Sequence, residues 1–179
     1  MMEQDIQEIL LTPEDITARI QELAAQITQD YAGKAPLVVG LLRGSFIFMA
    51  DLVRKIDLPL SLDFISASSY GAGTVSSGLV DIRLDVTEDV AGRDVLLVED
   101  ILDTGNTLSK LMTELNQRGP ASLKLCVMLN KPDRRTCPVE ADYVGFTIPD
   151  AFVVGCGLDY NQRYRQLPYI GVLKPDVYE

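Results

Sequence analysis

Three carboxylates stand close together in segment 95–107, whose sequence is VLLVEDILDTGNT. An apolar run of the kind that forms a buried strand leads directly into Glu99 and Asp100, and Asp103 follows shortly after them. Carboxylates at the end of such a strand can accept hydrogen bonds from sugar hydroxyls or attract a divalent cation. The spacing therefore predicts a site for a polar ligand.

The residues after Asp103 add a second kind of chemistry. Thr104, Gly105, Asn106 and Thr107 are predicted to open a helix, where backbone N–H groups lack partners and the helix dipole is positive. The glycine lets the backbone approach a ligand closely, and the threonine hydroxyls supply further donors. These features predict a phosphate-binding turn beside the carboxylates.

A simpler interpretation is that Asp103 and Thr104 only cap a helix, while Glu99 and Asp100 only end a strand. An isolated Asp-Thr-Gly would usually have that meaning. Here the order is more restrictive, because an apolar strand, an acid pair, two aliphatic residues and DTGNT follow one another without interruption. The ligand-binding interpretation is therefore favoured, although no Walker A pattern occurs in the chain.

The absence of histidine narrows the possible chemistry further. The 179 residues include no histidine, which excludes Ser-His-Asp and Cys-His catalysis as well as histidine metal sites. A general base must then be a carboxylate, lysine, tyrosine or cysteine. Cys126, Cys137 and Cys156 form no Cys-x-x-Cys motif, and Cys126 is expected to pack in the core.

Charge and composition exclude several partners. The formal net charge of −10 argues against a nucleic acid or an anionic membrane as the partner. No apolar run approaches the roughly 18 residues that a membrane helix needs. The acidic sequence MMEQDIQEIL does not resemble a signal peptide, so a cytoplasmic location is expected. The length fits a single domain over residues 1–179.

The surrounding elements must bring these residues to one edge of a sheet. Helices are predicted after Thr12-Pro13 up to Gly33, and over 46–56 and 104–118; strands are predicted over 37–42, 60–70, 80–86, 95–100, 122–129, 141–148, 151–155 and 169–173. The alternation indicates an α/β fold with a mainly parallel central sheet flanked by helices. Ligands bind at the carboxyl edge of such sheets. A mobile loop is predicted at about residues 69–80.

Segment 95–107 resembles the phosphoribosyl-pyrophosphate signature of type I phosphoribosyltransferases. The stretches LLRGSFIFMADL, DFISASSYG, the Lys131-Pro132 segment and IPDAFVVGCGLDYNQRYRQLPYIG resemble bacterial hypoxanthine(-guanine) phosphoribosyltransferases in particular. The resemblance covers nearly the whole chain. It implies the type I phosphoribosyltransferase fold with a small hood formed by the terminal segments.

The resemblance also implies an activity. Enzymes of this kind join hypoxanthine, and in many cases guanine, to phosphoribosyl pyrophosphate, forming IMP or GMP and pyrophosphate for purine salvage. Mg²⁺ is the implied cofactor, held mostly by the substrate's phosphate oxygens. A homodimer or homotetramer is the implied assembly, and the partners are small molecules.

Roles for the residues of segment 95–107 follow from the same resemblance. Glu99 and Asp100 would hold the ribose hydroxyls and lie near the metal, together with Asp159. The 5′-phosphate would be bound by Thr104, Gly105, Asn106 and Thr107. Asp103 would contact N7 of the purine and act as general acid or base, which agrees with the absence of histidine.

Other segments would supply the rest of the site. Lys131 would donate to the purine 6-oxo group, Phe152 would stack on the base, and the backbone of Val153 would meet its edge. Arg165 and the loop of Arg43 and Gly44 would contact pyrophosphate, and this loop is expected to contain a non-proline cis peptide. Ser69 and Tyr70 would begin a lid over the reacting centre.

Two alternatives stay open at this stage. One is a transferase that prefers xanthine, since the contacts around the purine 2-position are not fixed by these motifs. The other is a non-catalytic regulator on the same fold that binds a nucleotide or RNA. The acidic balance argues against RNA, and the presence of Asp103 and Lys131 argues against a loss of catalysis.

Overall fold

The computed structural model describes residues 2–68 and 81–178 of the chain. Short 3₁₀ helices cover Met2–Asp5 and Pro132–Arg134. The helices are α1 (Pro13–Asp30), α2 (Phe46–Val53), α3 (Asn106–Gln117) and α4 (Pro175–Tyr178). The strands are β1 (Ile6–Leu11), β2 (Leu37–Leu41), β3 (Ser61–Ser68), β4 (Asp81–Leu84), β5 (Asp94–Leu102), β6 (Ser122–Asn130), β7 (Tyr143–Thr147), β8 (Val153–Val154) and β9 (Ile170–Leu173).

A central sheet positions the predicted site. Its order is β4-β3-β2-β5-β6-β7, and all neighbouring pairs are parallel except the edge pair of β3 and β4. The chain proceeds from β2 outward to β3 on one side, and from β5 outward to β6 and β7 on the other. The order therefore reverses between β2 and β5, and the loops that follow these two strands diverge there to leave a crevice for ligands.

Two hydrophobic cores cover the two faces of this sheet. Successive residues of a strand point to opposite faces; in β5, for example, Leu96 and Val98 pack in one core, and Val95 and Leu97 in the other. The helices α1 and α2 cover the first face, and α3 covers the second. Because both faces are covered, the middle of each central strand is a continuous apolar run, as in Val95–Val98 of β5, which the sequence predicted.

The hood is a second, three-stranded sheet in the order β1-β9-β8, with both pairings antiparallel. It joins the two ends of the chain, as the resemblance implied. The predicted strands 151–155 and 169–173 are confirmed here in shorter form, whereas strand β1 was not predicted. Tyr164, Tyr169 and Leu173 form a small core beneath the hood, with Tyr178 packed against it.

The predicted helix starts are confirmed in one case and wrong in another. Helix α1 begins at Pro13 as predicted, and Thr12 and Asp15 form a capping box there, with the hydroxyl of Thr12 accepting from the Asp15 N–H at 3.2 Å. Helix α3, however, begins at Asn106 and not at Thr104, because Gly105 adopts a left-handed conformation with φ of +81°. No helix in the described part of the chain is both long and apolar enough to cross a membrane.

Candidate active site

The loop after β2 packs against the end of β5 at the reversal point of the sheet. A Cβ atom built on Gly44 would lie 1.7 Å from Oδ2 of Asp100, so only a glycine permits this approach. The peptide between Leu42 and Arg43 is cis, as the resemblance implied. A Cβ on Gly157 would in turn lie 2.0 Å from the carbonyl oxygen of Gly44. The loop is thus packed between the acid pair and the segment that follows β8.

The acid pair is buried at the end of β5. Glu99 is 9% exposed and Asp100 is 8% exposed. Each carboxylate accepts a hydrogen bond from the next backbone N–H, from Asp100 N at 2.9 Å and from Ile101 N at 2.8 Å. Burial raises the pKa of both groups, and the neighbouring Asp100 charge raises the pKa of Glu99 further. Two such carboxylates favour a ligand that brings hydroxyl donors or positive charge.

Asp103 has a different environment. Nε of Arg134 lies 3.0 Å from Oδ1 of Asp103 and forms an ion pair with it. The approach lacks hydrogen-bond geometry, so Oδ1 has no hydrogen-bond partner among the described residues. Arg134 also lies 3.5 Å from Asp150. The Asp103 carboxylate is therefore positioned by a cation, and one of its oxygens can still accept a proton or a hydrogen bond.

The turn between Asp103 and α3 is held by residues that follow β6. The carbonyl oxygen of Thr104 accepts hydrogen bonds from Thr136 N at 3.1 Å and from Cys137 Sγ at 3.4 Å. A Cβ on Gly105 would lie 2.6 Å from Cγ1 of Val139. Gly105 has no side chain that could cap α3, and the Asn106 N–H makes only a long hydrogen bond of 3.4 Å to the hydroxyl of Thr104. The first N–H groups of a helix have no partner within it, so the turn can present backbone donors to a ligand.

Two cavities meet at Asp103. The first has a volume of about 280 Å³ and is lined by the acid pair and the turn: Glu99, Asp100, Asp103, Thr104, Gly105, Asn106 and Thr107 belong to its wall. The second has a volume of about 480 Å³ and is lined by Lys131, Phe152, Val153, Leu158 and Asp159, among others. Ile101 and Asp103 line both cavities. Most of the predicted binding residues are therefore brought together around one carboxylate.

Lys131 is a buried cation in the second cavity. It is 6% exposed, and its ammonium donates to the carbonyl oxygen of Ala151 at 2.5 Å. Asp150 forms an ion pair with it at 3.7 Å. An ammonium has three N–H donors, so the bond to Ala151 leaves donors that a ligand can use. A solvated loop lysine, the simplest interpretation of its sequence setting, does not fit this burial.

Phe152 forms an aromatic wall of the same cavity and is 39% exposed. The Tyr178 ring stacks on it with the centroids 4.7 Å apart and the planes inclined by 18°. The Tyr160 ring contacts it edge-on at 5.6 Å. Val153 is buried in β8. The wall is therefore built by β8 together with the C-terminal helix.

A third group lies beside the cavities, in the loop after β8. Nη2 of Arg165 lies 2.7 Å from Oδ1 of Asp159, and Nη1 donates to the Gly157 carbonyl oxygen at 2.6 Å. The side-chain oxygen of Gln162 accepts from Arg43 at 3.1 Å and from Arg165 at 3.3 Å. Arg43 and Arg165 thus share one neutral acceptor. Burial raises the pKa of Asp100, and the nearby charge of Arg165 reduces that rise without cancelling it.

Part of the predicted site falls outside the described residues, and several residues in or near the two cavities were not predicted. Ser69, Tyr70 and the predicted loop at about 69–80 lie outside the described residues. Sequence reasoning did not assign a role in the site to the following residues: Ile101, Arg134, Arg135, Asp150, Ala151, Leu158, Gln162 and Tyr178. Only Arg134 and Arg135 carried a signal, as adjacent cations after Lys131, and that pattern is also typical of a solvated loop.

The comparisons with known proteins identify the family of the chain. The family model described as phosphoribosyl transferase domain matches residues 7–161, so the chain belongs to the phosphoribosyltransferase family. Hypoxanthine-guanine phosphoribosyltransferase of Streptococcus pneumoniae (strain ATCC BAA-255 / R6) is 53% identical over 178 residues, covering 99% of each chain. The enzyme of that name from Bacillus subtilis (strain 168) is 51% identical over 179 residues, covering 100% of this chain and 99% of the relative.

Solved structures of similar proteins have the same fold. The crystal structure of a hypoxanthine phosphoribosyltransferase from Staphylococcus aureus matches with a TM-score of 0.95 and 51% identity, and the match covers 99% of this chain and 97% of that one. The predicted fold class and the resemblance stated from the motifs are therefore confirmed.

Proposed function

We propose that this protein is a purine-salvage transferase that joins hypoxanthine, and also guanine, to phosphoribosyl pyrophosphate, forming IMP or GMP and releasing pyrophosphate. The observation that carries the proposal is the position of Asp103 in the walls of both cavities. A cavity of carboxylates and backbone donors suits a phosphoribosyl group, and a cavity of aromatic and cationic side chains suits a 6-oxopurine. The names of the similar enzymes support the same assignment.

The first cavity is proposed to hold the phosphoribosyl group. Glu99 and Asp100 accept hydrogen bonds from the ribose 2′- and 3′-hydroxyls, a role that suits two carboxylates in the wall of this cavity. The 5′-phosphate binds at the start of α3, where backbone N–H groups and the helix dipole favour an anion. The binding residues of this turn are Thr104, Gly105, Asn106 and Thr107.

The second cavity is proposed to hold the purine. The Lys131 ammonium donates to the 6-oxo atom, and Phe152 stacks on the ring while the backbone of Val153 meets its edge. Adenine is disfavoured, because its 6-amino group cannot accept a hydrogen bond from an ammonium. Asp103 then faces N7 and accepts its proton while N9 forms the bond to ribose C1′.

Pyrophosphate leaves from the side of the loop after β2. Gly44 places backbone groups there, and Arg43 and Arg165 supply positive charge beside them. Mg²⁺ fits at this position, because Asp100 and Asp159 are oxygen donors and Mg²⁺ usually takes only one or two protein carboxylates in addition to phosphates and water. When bound, Mg²⁺ would supply positive charge that neutralises the departing pyrophosphate. The described residues include no cluster of three or more side chains that alone would hold a metal.

The transfer is proposed to pass through an oxocarbenium-like ribose, as in the enzymes that the chain resembles. Holding N9 of the base in line with the bond between ribose C1′ and pyrophosphate converts an encounter of two substrates into a step within one complex, in which that bond breaks as the bond to N9 forms. An oxocarbenium-like ribose needs shielding from water, and Ser69 and Tyr70 with the loop at about 69–80 stay the predicted lid for that purpose. A homodimer or homotetramer in the cytoplasm also stays a prediction.

The direct test incubates the purified protein with hypoxanthine, phosphoribosyl pyrophosphate and Mg²⁺, and measures IMP and pyrophosphate by mass spectrometry and a coupled assay. Equal amounts of both products are expected, and none without either substrate. A protein that binds RNA at physiological salt but forms neither product would instead be a regulator on this fold. A clear preference for xanthine would correct the substrate.

A further inference from the structure

The side chain of Arg135 lies beneath the turn that joins β5 to α3. Its Nε donates to the carbonyl oxygen of Asp103 at 3.0 Å, and Nη2 lies 3.4 Å from the carbonyl oxygen of Leu102. Nη2 also donates to Oδ1 of Asn130 at 2.5 Å, and Nη1 donates to the Val139 carbonyl oxygen. One planar group therefore connects the turn to the end of β6 and to the segment that follows it.

These four acceptors match the shape of a guanidinium. Its N–H groups form a rigid planar fork, whereas a lysine ammonium would reach only part of such a set from one point. The Arg135 stem is also part of the packing, since a Cβ on Gly105 would lie 3.1 Å from its Cδ atom. The guanidinium thus fixes the backbone of the residue that carries the proposed base and supports the glycine of the proposed phosphate turn.

The charge of Arg135 is not balanced by a carboxylate partner. All four of its acceptors are neutral oxygens, and no ion pair links it to an acidic side chain within residues 2–68 and 81–178. Arg134, by contrast, pairs with Asp103 and Asp150. A half-buried cation below the turn adds to the positive electrostatic potential at the N-terminus of α3. This potential favours the binding of an anion on the open side of the turn.

We propose that Arg135 is a positioning residue of the phosphoribosyl site: it holds the Asp103–Gly105 backbone in the shape that binds the 5′-phosphate and presents the Asp103 carboxylate to the base. This inference rests on the proposed function and adds a residue to it. Arg135 lines neither of the two substrate cavities, so it acts through the turn and not by touching the ligand.

A separate cavity gives access to Arg135 from the other side. Its volume is about 360 Å³, and its wall includes Asn130, Arg135, Cys137, Val139 and Glu140. Removal of the Arg135 side chain would enlarge this space and leave the acceptors of Leu102 and Asp103 reachable from it. A free guanidinium ion can therefore enter and restore the missing hydrogen bonds, which makes chemical rescue a specific test.

The experiment compares the wild-type protein with Arg135→Ala and Arg135→Lys. The KM for phosphoribosyl pyrophosphate and kcat are measured, and calorimetry gives the affinity for the same substrate with Mg²⁺. For Arg135→Ala we expect affinity for this substrate to fall about ten- to a hundredfold, since a small displacement of a positioning group has effects of this size. The KM for hypoxanthine should change much less. Arg135→Lys should recover only part of the loss.

Guanidinium added far below denaturing concentrations should raise kcat/KM of Arg135→Ala and leave the wild type unchanged. Arg19→Ala is the matched control, because the Arg19 guanidinium also donates to two backbone carbonyls, of Gly145 and Val144, at 2.8 Å each. That variant should keep wild-type kinetics and show no rescue.

The outcomes separate this inference from the proposed function. A wild-type protein that binds phosphoribosyl pyrophosphate but forms no nucleotide would contradict the proposed function alone. Equal affinity of the wild type and Arg135→Ala for this substrate would overturn the positioning role alone. A uniform loss with both substrates and no response to guanidinium would also overturn it. If Arg135→Ala does not fold, wild-type kinetics in Arg135→Lys would count against the role.

Discussion

The ammonium of Lys131 donates a hydrogen bond of 2.5 Å to the backbone carbonyl of Ala151. Ala151 directly precedes Phe152, so this bond fixes the end of β6 to the aromatic wall of the second cavity. The group proposed to bind the 6-oxo atom and the ring proposed to stack on the purine are thereby held at a constant separation. Preorganisation of this kind reduces the loss of side-chain conformational entropy when a ligand binds.

Lys131 gives the first prediction. Lys131→Met removes the ammonium but keeps a long side chain, and kcat/KM for hypoxanthine should fall about 10- to 150-fold, the equivalent of losing a charged hydrogen bond of ~1.5–3 kcal/mol. Lys34→Met is the control, because Lys34 is an exposed cation paired with Asp94 at 3.0 Å. Steady-state kinetics with varied hypoxanthine checks both variants. An equal effect of the two substitutions would argue against a contact between Lys131 and the base.

Asp103 gives the second prediction. Asp103→Asn keeps the size of the side chain but removes the base, so kcat should fall by about 10²–10⁴-fold while substrate affinity changes little. Single-turnover kinetics together with calorimetric binding separates the two effects. Asp133→Asn, an exposed neighbour in the same region of the chain, should behave like the wild type. Unchanged turnover in Asp103→Asn would exclude this carboxylate as the base.

The contact between Gly44 and Asp100 gives the third prediction. Gly44→Ala would bring a methyl group to within 1.7 Å of Oδ2 of Asp100 unless the loop or the carboxylate moves. Displacing either should lower kcat/KM for phosphoribosyl pyrophosphate by roughly a hundredfold. Gly33→Ala is the comparison, because nothing lies within 4 Å of its added carbon although its φ is +77°. That variant should lose about 1 kcal/mol of stability and keep its kinetics.

Asp63 gives a prediction on pH. Burial by itself raises the pKa of this carboxyl, but hydrogen bonds from Glu88 N, Phe64 N and Thr87 more than offset it, so the pKa lies below its usual value of 3.8. A lowered folded-state pKa stabilises the protein above the unfolded value, and the contribution is lost as the pH falls through the folded value.

The consequence is measured by chemical denaturation at several pH values. Asp63→Asn should lower the free energy of unfolding by about 1–3 kcal/mol at neutral pH, and the difference from the wild type should shrink below the unfolded-state pKa. Asp57→Asn replaces an exposed carboxylate and should change little at any pH. A difference for Asp63→Asn that persists unchanged in acid would show that its charge is not the cause.

The acid pair and the turn were predictable because their chemistry is local. One short segment contains an apolar strand, then Glu99 and Asp100, and then Asp103 and Gly105. This order predicts a strand, a crevice and the start of a helix from neighbouring residues. The boundary of α3 was predicted two residues early, since only the positive φ of Gly105 shows that the helix begins after it.

The residues that were missed act through long-range contacts. Strand β1 has only half-buried or exposed residues and pairs with β9 at the other end of the chain, so its sequence carries no clear alternation. Arg135 binds backbone carbonyls and a side-chain amide oxygen, which leave no trace in side-chain spacing. Tyr178 reaches Phe152 only because the hood brings α4 over β8.

Asp103 stands between the proposed phosphoribosyl site and the proposed site for a 6-oxopurine. The most direct measurement is the initial rate of nucleotide formation from phosphoribosyl pyrophosphate and Mg²⁺ with hypoxanthine, guanine, xanthine and adenine in parallel. Hypoxanthine should give the highest kcat/KM, guanine should also react, and adenine should give no detectable product. Efficient use of adenine, or no pyrophosphate release with any of the four bases, would contradict the account.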